Sequence, residues 1–212
     1  MKNLSRTGSR VLIMLLVQIM VLGLLMPASA QADEPNGLVN VNDKYYFYSN
    51  GKAVHNKWIK APVDGVMQKF YFGKSGVACK AGRLYENAYN VKLFRIKGVK
   101  YGFDMNSFLV KPGIYVNGAF QLMAFGKNGK YNEAKTKKLR KKLPIGKISK
   151  GMYKKVISTL GKPLSVSFSD SCSPWKSTGS FTDVKMTYNH FEVQLIREDR
   201  TKQYMLDGFF PI

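Results

Sequence analysis

The sequence predicts a mainly β protein, in which a tandem, solenoid-like array of β-hairpin repeats is followed by a small α+β module. Two observations support this fold class. Short aromatic segments that end in a glycine turn recur through the first half of the chain. One amphipathic helix and four strand-like runs follow in the second half. Stacked hairpins, and one or two helices on a four-stranded antiparallel sheet, are the arrangements that these patterns favour.

The repeat joins an aromatic strand to a polar turn and a second short strand. Residues 45–53, Tyr-Tyr-Phe-Tyr-Ser-Asn-Gly-Lys-Ala, are matched by residues 70–78, Phe-Tyr-Phe-Gly-Lys-Ser-Gly-Val-Ala. Weaker copies begin at residues 101 and 123, and every copy has a glycine or serine four residues after its phenylalanine. Aromatic residues favour strands, and Asn-Gly or Ser-Gly supplies the positive φ of a tight turn. An isolated hairpin is marginal in water, so the copies are expected to stack over residues 33–131.

Residues 37–59 resemble the cell-wall-binding repeats of the choline-binding and glucan-binding proteins of Gram-positive bacteria, and the resemblance weakens from there to residue 131. Those repeats follow the pattern Gly-Trp-Val-x-x-aromatic-Tyr-Phe-x-x-Asn-Gly-x-Ala. The resemblance implies ligand contacts through ring stacking or cation–π attraction. The matching positions are Tyr45, Tyr46, Trp58, Tyr71 and Tyr101. The alternative is that these rings only pack one hairpin on the next. Gly37-Leu38 replaces the family's leading Gly-Trp, which disfavours choline as the ligand.

The N-terminus has the order of a secretory signal peptide. Basic residues at 2, 6 and 10 precede an apolar run from Val11 to Met26, and small residues follow. The run is shorter than the roughly twenty residues that span a bilayer. We therefore expect residues 1–32 to be a signal peptide and the mature protein to be secreted, either extracellular or held at the cell surface. An uncleaved membrane anchor is the alternative.

The chain is strongly basic, with a net charge of +21 at pH 7. Residues 126–150 hold ten Lys and Arg against a single acid, and residues 132–147 are predicted to form a basic, partly helical linker. Such a cluster favours an anionic partner. For an exported protein the candidates are teichoic acids, anionic lipid head groups and acidic glycans, with extracellular DNA left open and intracellular nucleic acid excluded. A solvated linker that binds nothing is the alternative. The candidate anion-binding residues are Lys137, Lys138, Arg140, Lys141 and Lys142.

Residues 148–212 are predicted to form the α+β module. Its helix has Met152, Val156 and Leu160 on one face, Ser149 as N-cap and Gly161 at the end. Strand-like runs follow at 164–168, 185–188, 191–196 and 204–209. The pattern Ile-x-x-Gly-Met-x-x-x-Val-x-x-x-Leu-Gly-x-Pro resembles the superfamily of β-lactamase inhibitor proteins and small outer-membrane lipoproteins. This resemblance implies an interaction surface for a protein partner, without catalytic residues.

The distribution of reactive side chains predicts that the protein is not an enzyme and uses no metal or cofactor. His55 and His190 lack a companion at the spacing of metal ligands or of a catalytic pair. Asp170, Glu198 and Asp199 are predicted to be turn residues. The sequence has no glycine loop between a strand and a helix that could bind phosphate.

These observations lead to one hypothesis with two alternatives. The hypothesis is a secreted, non-catalytic protein that binds anionic or carbohydrate polymers of a cell wall through its repeats and presents residues 148–212 to a partner. The first alternative is a diffusible inhibitor or partner-binding protein that acts through the C-terminal module. The second is a polycation that adheres by charge alone. Pairing of Cys79 with Cys172 is left open.

Overall fold

A computed structural model describes residues 35–85, 88–171 and 179–212, in which strands and turns predominate. The unit from Asn36 to Ile212 contains small antiparallel sheets with two α-helices beside them. The predicted fold class, mainly β with hairpin repeats and a small α+β module, is confirmed. The predicted signal peptide at residues 1–32 lies outside the described residues.

Among residues 35–85 and 88–131, nine strands build the hairpin array. The first three form one sheet, and each later pair forms a hairpin of its own. In chain order the strands are β1 (Gly37–Val41), β2 (Lys44–Ser49), β3 (Lys52–Ala53), β4 (Lys57–Val63), β5 (Val66–Phe72), β6 (Val91–Ile96), β7 (Val99–Asp104), β8 (Gly113–Val116) and β9 (Leu122–Phe125).

Two-residue turns join the long paired strands of the first three hairpins. Both residues of each turn have a positive φ, which defines the type I′ turn whose twist matches that of antiparallel strands. Asn, Asp and Gly tolerate this backbone conformation best. The aromatic strands β2, β5 and β7 therefore each pair along their length with the strand that precedes them. The turns are Asn42-Asp43, Asp64-Gly65 and Lys97-Gly98.

The strand predicted after each glycine turn is shorter than expected. After β2 it is the two-residue β3. After the other aromatic strands the turn closes on itself, as when Gly73 N donates to Val77 O at 3.0 Å and Gly126 N to Lys130 O at 2.8 Å. The chain then makes one bridge before it leaves the hairpin. These bridges join Phe72 to Ala78, Phe103 to Leu109 and Phe125 to Tyr131.

The bridge residues also tie each hairpin to the one before it. Ala78 N donates to Tyr45 O, Leu109 N to Lys69 O, and Tyr131 N to Lys100 O, each at 2.9 Å. Phenylalanine rings of successive copies contact each other as well, with Phe47 and Phe72 at a centroid distance of 6.2 Å. The hairpins therefore form a stacked array.

The C-terminal half contains one antiparallel sheet of five strands. The four predicted runs provide four of them, and a two-residue strand adds a fifth at the edge. In chain order they are β10 (Ile148–Ser149), β11 (Ser165–Asp170), β12 (Phe181–Thr187), β13 (Phe191–Glu198) and β14 (Gln203–Pro211). Their order across the sheet is β10-β14-β13-β12-β11.

Two helices accompany these strands, α1 (Glu133–Lys142) and α2 (Met152–Leu160). The side chain of Asn132 caps α1 by accepting a hydrogen bond from Lys135 N at 2.8 Å. The prediction of Ser149 as the N-cap of α2 is wrong. Gly151 holds that position, because Ser149 pairs with β14 and its Oγ only accepts a bond from Gly151 N. No helix in the described part of the chain combines the length and apolar character needed to cross a membrane.

The last hairpin, α1 and the C-terminal sheet share one hydrophobic core. Leu139 of α1 and Leu143, the C-cap residue that follows α1, are buried in the cluster that contains Leu122 of β9 and Leu206 of β14. Thr136 joins them, since its Oγ1 accepts a hydrogen bond from Ala124 N at 2.9 Å. A packed helix thus occupies most of the predicted basic linker. The domain boundaries at 131 and 147 stay predictions.

Candidate binding site

An aromatic cluster lies between the second and third hairpins. Trp58 of β4 stands directly opposite Tyr71 of β5, with ring centroids 5.1 Å apart and the rings edge to face. Side chains alternate along a strand, so the neighbouring Phe70 and Phe72 point to the other face, where they are fully buried against the first hairpin. Trp58 and Tyr71 themselves are half-buried.

The third hairpin completes this cluster from β7. The Tyr101 ring meets Trp58 edge to face at 5.1 Å, and the Phe103 ring stacks on Trp58 at 5.8 Å. Phe103 is fully buried, whereas Tyr101 is half-buried. Three of the five predicted ring residues, Trp58, Tyr71 and Tyr101, therefore meet in one place and retain some exposed surface.

Lys69 brings a positive charge to the same rings. Its Nζ lies 4.7 Å from the centroid of the Trp58 ring, within the range of a cation–π interaction. It reaches this position because it lies two residues before Tyr71 and hence on the same face of the hairpin. The sequence contained this information, since a diagonal cross-strand neighbour of Trp58 follows from the hairpin register.

The other two predicted ring residues lie elsewhere. Tyr45 packs against Phe70 at 5.4 Å and Phe108 at 6.5 Å, in the core between the first and second hairpins. Tyr46 is half-buried on the opposite face of β2, where it pairs with Val39. For Tyr45 the contacts favour the packing role that the sequence left open.

The five candidate anion-binding residues all lie on α1, but they are not equivalent. Arg140 Nε donates to Leu122 O at 2.9 Å, which makes Arg140 a link between the helix and β9. Lys137 pairs with Glu133 one turn earlier, at 3.0 Å. The remaining exposed lysines at the end of the helix are Lys138, Lys141 and Lys142.

Both histidines make structural contacts. His55 Nδ1 lies 2.9 Å from Lys74 O. The His190 ring stacks with Tyr89 at 4.2 Å and with Tyr115 at 5.1 Å, and these two tyrosine rings also stack on each other at 5.9 Å. Burial, with a smaller contribution from the charge of Lys111, lowers the pKa of His190. The described residues hold no group of three His, Cys, Asp or Glu side chains that could bind one metal ion.

Of the carboxylates predicted to be turn residues, Asp199 lies in a turn, whereas the prediction is wrong for Asp170 and Glu198, which are the last residues of β11 and β13. Asp170 is the last residue of β11 and is exposed. Asp199 accepts hydrogen bonds from Ser180 Oγ at 2.8 Å and Thr182 Oγ1 at 2.9 Å, and these bonds lower its pKa. The Glu198 carboxylate accepts hydrogen bonds from the turn that follows it, mainly from Thr201, and these bonds likewise lower the pKa of Glu198.

One buried carboxyl was not singled out from the sequence. Asp104 is 5% exposed and ends β7 at the position that Gly73 and Gly126 hold in the neighbouring copies. Its Oδ1 accepts from Asn106 N at 2.9 Å and Phe108 N at 2.8 Å, which closes the turn. Burial raises the pKa of Asp104 despite these hydrogen bonds.

Cys79 lies in the connector after the second hairpin. It is a half-buried free thiol, and burial raises its pKa to about 11. A thiol with a raised pKa is a weak nucleophile at neutral pH. Cys172, its possible disulfide partner, lies outside the described residues.

Comparison with solved structures gives weak similarity, at a low fraction of identical residues. No family model and no curated protein matches the chain. Among solved structures, the chain is similar to an alternansucrase in complex with isomaltononaose, at 17% sequence identity and a TM-score of 0.18. The match covers 46% of this chain and 12% of the length of that enzyme. At this level of similarity, membership of the families suggested by the sequence stays a prediction.

Proposed function

We propose that the chain is an exported, non-catalytic protein that binds polymers of a bacterial cell surface through its hairpin array. The main support is the partly exposed ring cluster of Trp58, Tyr71 and Tyr101, which two successive hairpins build together. Ring faces of this kind attract cations, and they offer flat apolar surfaces for stacking. The basic and apolar order of the N-terminus supports export, and the net positive charge supports an anionic surface.

Lys69 bears on which ligand the cluster would bind. Its ammonium lies over the Trp58 ring, where a quaternary ammonium would otherwise bind. A second cation would be repelled there, so choline is disfavoured. A neutral or negatively charged carbohydrate suits the cluster better, because its C–H groups can pack on the rings while its oxygens accept hydrogen bonds from Lys69.

The lysines of α1 would add affinity without geometric selection. Lys138, Lys141 and Lys142 are exposed on one short helix and can be screened by salt. We assign them a role in attracting the protein to an anionic wall, and we assign recognition to the ring cluster.

A pull-down on purified Gram-positive cell walls tests this function. The full chain is bound to walls and eluted separately with a soluble glucan, with choline and with rising salt. Elution by glucan at constant salt is the expected result. Elution by salt alone would leave the polycation alternative, and the absence of any wall binding would overturn the proposal.

Variants make the test specific for the rings. Trp58→Ala should weaken wall binding, and Tyr153→Ala, which removes a half-buried ring from α2, should leave it unchanged. Since Trp58 also packs the hairpins together, thermal unfolding of both variants has to be measured alongside. Loss of binding only where the fold is lost would favour the packing role.

A second candidate function is binding of a protein partner through the C-terminal sheet. One face of this sheet packs on the core, and the other holds an open groove of about 410 Å³ lined by Phe181, Ile196 and Met205 with the exposed Ile148. An exposed apolar surface of this kind is typical of an interaction site. Ile148→Asp would abolish partner binding but leave wall binding intact, which separates the two functions.

A further inference from the structure

A basic groove lies on the array beside the ring cluster and apart from α1, and Phe94 in its wall meets Phe103 of the cluster edge to face at 5.7 Å. It has a volume of about 660 Å³ and is bounded by the start of β2, the turn after β5, the connector from Cys79 to Arg83, and β6. Three successive parts of the array therefore contribute to its walls.

The lining of the groove is strongly positive. Among the described residues that line it, four are basic and one is acidic, which gives these residues a net charge of +3. The acid, Asp43, forms an ion pair with Lys80, whose Nζ lies 2.5 Å from Asp43 Oδ2. The same Nζ donates a hydrogen bond to Asp43 O at 2.7 Å. Arg83 lies 3.6 Å from the same carboxylate and is largely exposed. The bases are Lys44, Lys80, Arg83 and Lys92.

The groove also offers an apolar surface beside these charges. Phe94 of β6 is half-buried and lines the groove, with Lys92 Nζ at 5.6 Å from the centre of its ring. Gly82 contributes bare backbone, since a Cβ built at Gly82 would have no atom within 4 Å. A ligand can therefore approach the chain closely at Gly82.

Backbone hydrogen bonds hold the connector in place. Cys79 N donates to Tyr71 O at 2.9 Å, and Ala81 N donates to Asp104 O at 3.0 Å. The side chain of Asn90 donates to Gly82 O at 2.7 Å. The connector residues that line the groove are thus attached to β5 and to the third hairpin, so little ordering is needed when a ligand binds.

We propose that this groove binds an extended polyanion, a polymer that repeats phosphate or carboxylate groups along a sugar or polyol chain. Arg83 and Lys92 would pair with its anionic groups, and Phe94 would pack against its C–H groups. Because the groove is concave and lined by positive charge, it focuses the electrostatic field on a bound anion. The lysines on the convex face of α1 do not focus the field in this way. The proposal rests on the wall-binding function proposed above and adds a charge-specific contact to it.

Charge-matched variants of the full chain test the groove. Arg83→Gln with Lys92→Gln removes two charges from it, whereas Lys138→Gln with Lys141→Gln removes two charges from α1. Gly82→Leu fills the groove without changing the charge, and Gly82→Ser is its small control. Binding is titrated at fixed ionic strength with poly(glycerol phosphate), with polygalacturonate of equal charge, and with purified walls. Thermal unfolding midpoints check that each variant is folded.

The groove double variant should bind at least one polyanion about tenfold more weakly than the wild type, as expected for the loss of two charge-assisted contacts. Gly82→Leu should show a similar loss, and the α1 double variant should stay close to the wild type. Preference for poly(glycerol phosphate) identifies a phosphate polymer as the ligand, and preference for polygalacturonate identifies an acidic glycan.

Two results would overturn the proposal that this groove binds a polyanion. One is an equal loss in both charge-matched variants with no effect of Gly82→Leu, which indicates diffuse attraction. The other is wall binding by the wild type without binding of either polyanion. In both cases the wall-binding function survives. Failure of the wild type to bind walls under any condition would instead remove the proposed function itself.

Discussion

Replacing Gly102 with alanine should destabilise the contact between the third and fourth hairpins. Gly102 is buried in β7, one residue before Phe103, where the first two copies have Tyr46 and Tyr71. An alanine Cβ at this position would lie 2.4 Å from Phe125 Cε1 and 2.8 Å from Val110 Cγ2. The fourth hairpin therefore packs on the bare backbone of the third.

The expected loss in the free energy of unfolding is about 1–2 kcal/mol. Nonbonded carbons rest about 3.5–4.0 Å apart, so Phe125 and Val110 would each have to move by about 1 Å. Both are almost fully buried, at 3% and 4% exposed, and overpacking of this kind costs about 1–3 kcal/mol. Gly102 has no positive φ, so alanine also gains about 0.4–1 kcal/mol by restricting the unfolded chain.

Urea unfolding of the full chain measures this loss. Thermal unfolding should show it too, as a fall in Tm of about 2–4 °C per kcal/mol for a domain of this size. Gly113→Ala is a matched control, because its Cβ would lie 3.4 Å from the Tyr115 ring, and it should change stability by less than about 0.5 kcal/mol. Phe125→Leu should relieve part of the clash, so the double variant should lose less than the sum of the single variants.

An unchanged urea midpoint for Gly102→Ala would refute the close packing of these hairpins. Strict additivity with Phe125→Leu would refute the assignment of the clash to that ring. Either result would remove the main energetic argument for a stacked array in this part of the chain.

Three further substitutions test other parts of the structure. Because burial raises the pKa of Asp104, the folded chain holds its proton more tightly than the unfolded chain does, so its contribution to stability is fully present at acid pH and is lost as the pH rises through the raised value. Asp104→Asn should remove this dependence from urea titrations at several pH values, and a difference curve that is flat across pH would contradict the assignment. Thr136→Val should cost about 1–3 kcal/mol in chemical unfolding, because Ala124 N loses its buried acceptor, and a loss near zero would exclude that role. Lys69→Met should improve the free energy of choline binding by about 0.5–2 kcal/mol, because the ammonium that repels a second cation from the Trp58 ring is removed. Trp58 fluorescence in a Trp175→Phe background measures the affinity, and equal choline affinities of the two proteins would show that Lys69 does not keep cations away from this ring.

The sequence predicts the repeats well because their turns are local. The phenylalanine and the glycine four residues later are fixed by one strand and one turn, so their spacing identifies each copy without long-range information. The repeat pattern does not include the strand that precedes each aromatic strand, because the turn between them changes from Asn42-Asp43 to Asp64-Gly65 and Lys97-Gly98, and no single residue pair marks it in every copy. A glycine turn also does not show how many residues pair after it, so the second strand is predicted to be longer than the single bridge that follows most of these turns.

The sequence also predicts the candidate site only in part. Trp58, Tyr71 and Tyr101 meet because the hairpin register and the stacking of copies bring them together, and the repeat pattern contains both. Tyr45 holds the same repeat position as Tyr101, two residues before the phenylalanine, but it packs against Phe70 and Phe108 in the core, which depends on where the neighbouring hairpin lies. Asp104 could not be singled out, since its burial depends on elements distant in sequence.

The core shared by β8–β9, α1 and the C-terminal sheet makes that sheet the end cap of the array. Stacked repeats expose an apolar face at each end unless a different element covers it. Here Leu139 and Leu143 cover the last hairpin, and the sheet covers them in turn. A chain cut near residue 131 would leave Leu122 and Ala124 facing water. The proposed functions of the array and of the C-terminal sheet are therefore best tested separately by point substitution, because truncation would remove the element that covers the last hairpin.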